Sequence, residues 1–129
     1  MAETLSPELV KDFVGNAHGD FERVKQLLEQ EPSLLNAAWD WGGGDWETSL
    51  GAAAHMGRKD IAEYLLAKGA RLDVFAAAML GKIDIVKSML NDYPELKNAK
   101  GPHTISLVEH AKAGGDAAKS VVEWLESLN

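Results

Sequence analysis

The stretch Trp46-Glu47-Thr48-Ser49-Leu50-Gly51-Ala52-Ala53-Ala54-His55-Met56-Gly57-Arg58-Lys59-Asp60-Ile61, running on to Leu65-Leu66-Ala67-Lys68-Gly69-Ala70, decides the fold. A run of alanines favours a short helix, and the glycine after it supplies the residue at which a helix ends and the chain reverses. The second half places Ile61, Leu65 and Lys68 at helical spacing, so that one face is apolar and the rest polar. Two short helices joined at Gly57 are therefore predicted. Neither is long enough to hold its shape alone in water, so stability must come from stacking against neighbours.

The same pattern recurs along the chain. Asn16-Ala17-His18-Gly19-Asp20-Phe21 leads to Leu27-Leu28, and Ala77-Ala78-Met79-Leu80-Gly81-Lys82-Ile83 leads to Met89-Leu90. In all three copies the apolar pair stands eight and nine residues after the glycine. A fourth, looser copy runs from His110-Ala111-Lys112-Ala113-Gly114 to Trp124-Leu125, with two extra residues around Gly115. Start and stop signals agree. Ser6 can cap a helix with Pro7 at its first position, Asp20 and Asp73 can cap two more, Ser106 with Glu109 fits a capping box, and Pro32 ends a helix. In the third copy Ile85, Met89 and Asp92 are expected to define the second helix's faces, with the first two buried. Leu65 and Leu66 should form the apolar seam of the second.

The connections are unequal. The unit glycines are separated by 38, 24 and 33 residues (Gly19, Gly57, Gly81, Gly114). About fourteen residues rich in Gly, Asn, Asp and Pro intervene from Leu34 to Glu47 and again from Asp92 to Ile105, enough for a projecting hairpin or irregular finger. Between Gly69 and Asp73 there is almost nothing. The expectation is one all-α domain over residues 1–129, with units at approximately 6–36, 46–70, 73–93 and 104–129.

Composition sets the class. With 129 residues, one compact domain is expected at about 150 residues per domain. Apolar residues at 46% and charged residues at 26% exclude a disordered tail, so a core should be buried. A formal charge of −7 disfavours nucleic acid and anionic membranes as partners. The longest unbroken apolar stretch, Val74 to Leu80, is far short of the roughly 20 residues of a membrane span, and the acidic start is unlike a signal peptide. The absence of cysteine removes disulfides, thiol catalysis and thiolate zinc sites, and cytoplasmic residence is the default expectation.

At the residues quoted first, the chain resembles the ankyrin repeat family, whose units carry a Thr-Pro-Leu-His-x-Ala-Ala motif. The resemblance covers nearly all of residues 8–128, is strong in the second and third units and weaker in the outer two, and looks like that of a short bacterial-type ankyrin repeat protein. It implies an ankyrin-like solenoid of about four helix-turn-helix repeats, with long finger loops between units 1/2 and 3/4 and a shortened one between 2/3. Ser49 stands where the family usually has Pro. Gly51 stands where it has the His that ties adjacent loops, so that bridge is absent.

Candidate chemistry concentrates in Ala38-Trp39-Asp40-Trp41-Gly42-Gly43-Gly44-Asp45-Trp46-Glu47, which holds three of the four tryptophans. The rings either pack on the first helices and fill the space left by Gly51, or supply contact area to a partner. The three glycines do not form a phosphate loop, because no Gly-x-x-x-x-Gly-Lys-Ser/Thr follows and the flanking acids repel anions. The four histidines sit in separate units without metal-site spacing, so no metal and no cofactor is expected. His18 and His55 are placed to bond loop backbone, and His110 falls at an alanine position and should be buried. Pairing of His55 with Asp40 or Asp45 as acid and base is conceivable; Ser106 with His110 lacks an oxyanion hole.

What the resemblance implies is a monomer that binds another protein through its concave face and fingers, and not an enzyme. The expected partner-binding residues are Trp39, Asp40, Trp41, Asp45 and Trp46 on the loop, with His55, Met56, Met79 and Leu80 flooring a notch left open by the short connection. The alternative is a small-ligand or hydrolytic site in that notch, built from Trp39, Trp41, Asp40, Asp45 and His55. A third reading is an engineered repeat scaffold.

Overall fold

The computed structural model describes residues 3–128; Met1 and Ala2, read above with the acidic start, and Asn129 lie outside them. Among the described residues, eight α-helices account for more than half: α1 Pro7–Asn16, α2 Phe21–Gln30, α3 Ser49–His55, α4 Lys59–Ala67, α5 Val74–Met79, α6 Ile83–Asp92, α7 Leu107–Ala113 and α8 Lys119–Ser127. Each odd helix packs on the even helix that follows it, and the odd helices pack on one another in the order α1, α3, α5, α7.

Ser6, Asp20, Asp73 and Ser106 cap the helices for which the sequence proposes them, and Thr48 is a cap it did not single out. Ser6, Asp20, Thr48, Asp73 and Ser106 each accept a hydrogen bond from a backbone N–H two or three residues into the following helix, satisfying a donor that would otherwise be orphaned. At Gly57 and Gly81 the reversal between helices uses left-handed backbone, φ 66° and 75°. A side chain at either would also meet the carbonyl of Ala113 or Ala117.

The core divides into two clusters. One is built on Phe13, Val24, Leu27, Leu34, Leu50, Ile61 and Leu65, and the other on Val86, Leu107, Val121 and Leu125. Leu65 is fully buried and Leu66 half-buried. In α6 the buried face is Val86 and Leu90; Ile85 is exposed and Met89 half-buried, one residue out of phase with the expected face. Five apolar residues at 83, 85, 86, 89 and 90 allow either phase, and packing against α5 and α8 selects the second.

The two long connections are structured. Residues 38–48 form a hairpin of strands β1 (Ala38–Asp40) and β2 (Trp46–Thr48), antiparallel, with Trp39 opposite Glu47. Asp40 Oδ1 accepts from the N–H groups of Gly42 and Gly44 and so shapes the glycine turn. The second finger runs through 3₁₀ turns at Pro94–Asn98 and Pro102–Thr104 and closes with a bridge between Lys100 and Ser106. Pro102 comes within 3.4 Å of where a Cβ on Gly51 would stand. The missing side chain at position 51 is thus filled by the second finger, and the tryptophans do not fill it.

Candidate functional site

Glu47 is the centre of the site. Its position on β2 turns its side chain inward, where it is 0% exposed, and a buried carboxylate must be compensated by partners. Four groups surround it. Trp41 Nε1 donates to Glu47 Oε1 at 2.8 Å, and His18 Nε2 lies 3.1 Å from the same oxygen. His55 Nε2 and His103 Nε2 lie 2.9 Å and 3.3 Å from Oε2.

Each imidazole arrives from a different element. His18 follows the end of α1, and its Nδ1 is held 2.9 Å from Gly15 O. His55 is the last residue of α3. His103 is carried by the second finger in left-handed backbone, φ 60° and ψ 25°, followed by Thr104 at φ 58°. Consecutive non-glycine residues in that region cost energy, and here Asp45 offsets it. Asp45 Oδ1 accepts the His103 backbone N–H at 2.8 Å, and Oδ2 accepts from Nδ1 at 2.6 Å.

The electrostatics follow from these contacts. Burial works to raise the Glu47 carboxyl, but the imidazoles of His18 and His55 and the Trp41 indole outweigh it, and the group is lowered to about 2. Contact with Glu47 raises His18 against the opposing effect of burial. The backbone N–H of His103, then its ring, lowers Asp45. A neighbouring histidine behaves differently. His110 is fully buried beside Phe75 with ring centroids 4.7 Å apart, and burial lowers it. Its Nδ1 bonds Ser106 O at 2.8 Å, so the pair contacts through backbone and no Ser106 hydroxyl is presented to the ring.

Several expectations need correction here. The histidines do not stay apart in their units: His18, His55 and His103 converge on Glu47, because both fingers fold over the same helix ends. His18 bonds backbone, but at Gly15 within α1 and not in a loop, and His55 faces Glu47. The partner of His55 is neither Asp40 nor Asp45, since Asp40 holds the glycine turn and Asp45 holds His103. Trp39 packs on the core, Trp41 covers the cluster while one face stays exposed, and Trp46, 61% exposed, projects furthest. Met56 is exposed, but Met79 and Leu80 are buried in the stack of odd helices, with Met79 only 1% exposed, and cannot floor a notch. The sequence reading missed Glu47 and His103. The one local signal was an acid placed between Trp46 and the helix cap Thr48.

An open groove does lie between the fingers, displaced from the expected notch. Its volume is about 380 Å³. Gly44, Asp45 and Trp46 line one side and Lys100, Gly101 and Pro102 the other, over a floor of Thr48, Gly51, Asp73 and Phe75. The connection from α4 to α5, residues 68–73, carries no helix or strand of its own.

The ankyrin repeat family model matches residues 45–75, from the end of the hairpin loop through α3 and α4 into the start of α5. That stretch is similar to a single ankyrin repeat. No helix among the described residues is long and apolar enough to cross a membrane.

Proposed function

We propose that the protein is an interaction module that takes a segment of another protein into the groove between its two fingers. Repeats of this family are in general binding modules and not catalysts. The observation that carries the reading here is Trp46, a large ring left 61% exposed on the wall of a concave groove. Exposed tryptophan beside a concavity is the kind of residue that anchors interfaces. Phe75 adds apolar floor and Lys100 a cation at the rim. The remaining scaffold reads as a solenoid of four units, in which the finger side of the odd helices is the concave face and Asp45 lines the groove beside Trp46.

The test is to pan a displayed library of random peptides against the protein and to repeat binding with Trp46→Ala and Phe75→Glu. Trp46→Ala should leave stability within about 0.5 kcal/mol, because the ring touches little in the folded chain. Selected peptides should bind the parent and fail on both variants. Peptides indifferent to both substitutions would place the binding surface elsewhere.

A further inference from the structure

Neutral imidazoles do not satisfy the atoms turned toward one another at Glu47. Among the described residues His18, Glu47, His55 and His103 each offer a ligand atom, and none of these atoms is more than 4.8 Å from another. Glu47 Oε2 and His55 Nε2 are buried and, though 2.9 Å apart, are not aligned as a hydrogen bond, and neither has a hydrogen-bond partner elsewhere among the described residues. The tautomers of the other two rings are fixed from outside. His18 spends its Nδ1 on Gly15 O and His103 spends its Nδ1 on the Asp45 carboxylate, which leaves both Nε2 lone pairs facing a carboxylate in the neutral rings. Lone pairs held at that distance repel unless a positive centre lies between them. Protonating every ring would instead crowd cations whose centroids stand 5.0 Å and 5.2 Å apart.

We propose that His18 Nε2, His55 Nε2, His103 Nε2 and the Glu47 carboxylate form a binding site for one divalent transition-metal ion of the zinc class. Imidazole nitrogen and carboxylate oxygen suit such ions, and four protein donors describe a closed, structural site. Two donors each about 2.0 to 2.1 Å from a tetrahedral ion stand about 3.3 Å apart, close to the 2.9 to 3.3 Å separations between the imidazoles and Glu47. The supporting bonds are those that orient metal ligands: a backbone carbonyl behind His18, a carboxylate behind His103, and the indole N–H of Trp41 on the remaining Glu47 oxygen. The ion would fasten the second finger, through His103, to the hairpin, α1 and α3. It would thereby set the width of the groove, whether or not that groove receives a partner.

The experiment uses tag-free full-length protein, stripped with a chelator and titrated with Zn²⁺ by calorimetry and with Co²⁺ by visible absorption. The expected result is one ion per chain, a raised melting temperature, and the visible bands of four-coordinate Co²⁺. His103→Ala, on an exposed finger, and His18→Ala should each weaken binding by more than about tenfold while circular dichroism stays unchanged, and Asp45→Asn by about 10- to 100-fold. Absence of saturable binding by either ion would overturn the proposal. So would binding that both alanine variants retain in full.

Discussion

Asp45 holds His103 twice, with one carboxylate oxygen on the backbone N–H at 2.8 Å and the other on ring Nδ1 at 2.6 Å. The two residues are 58 positions apart, and through them the hairpin fixes the strained turn of the second finger. A hydrogen bond to a charged group contributes about 1.5 to 3 kcal/mol, so Asp45→Ala should quicken amide exchange at His103 by about tenfold or more. The helices should keep their protection. Unchanged exchange at His103 would mean the finger is held by Pro102 packing alone.

Removing the central carboxylate should cost far more. Glu47→Ala leaves three imidazoles facing an empty buried space, and breaking a buried ion pair from one side costs about 3 to 5 kcal/mol. Denaturant titration in chelator checks this. Because the carboxyl is held at about 2 against an ordinary 4.5, its contribution is complete above pH 4.5 and is lost as pH falls toward 2. Glu47→Gln should show no such loss in that window.

Two histidines act on opposite sides of pH 6.5. His18 is raised, so its contribution is whole below 6.5 and is lost as pH rises through its folded value. His110 is lowered by burial, so the unfolded chain takes its proton first and stability declines as pH falls below 6.5. His110→Leu should flatten stability below 6.5 and leave the slope above it unchanged. Stability measured by denaturant across this range, in chelator, separates the two.

Glycines in this chain serve two purposes that substitution can tell apart. Gly114 has ordinary helical backbone, φ −74°, but a side chain there would collide with the Met79 carbonyl. Gly43 has left-handed backbone, φ 66°, with open space around it. Gly43→Ala should therefore cost only about 1 kcal/mol of conformational strain, whereas Gly114→Ala forces α5 and α7 apart and should lower the melting temperature much further. Equal losses would contradict the close approach of these helices.

Helix boundaries were legible because they are local. Ser6, Asp20, Asp73 and Ser106 each act within three residues of themselves, and the glycine repeat reports the reversals directly. The hairpin was legible as a long Gly-rich connection, and Gly51 as a departure from the family pattern. What replaced the Gly51 side chain was not, because Pro102 reaches it from another unit. The cluster fails for the same reason: positions 18, 47, 55 and 103 share no spacing, and only the direction in which the second finger folds brings the last of them in. Phase in α6 was ambiguous because Ile85 and Val86 are equally apolar, and their neighbours decide between them.

The most direct measurement is the anomalous scattering of a crystal of the tag-free protein grown with Zn²⁺. A single peak is expected, bounded by His18, His55, His103 and Glu47, with each donor atom about 2.0 to 2.2 Å from it. Density with no peak at that point, and the imidazoles still resting directly on the Glu47 carboxylate, would contradict it.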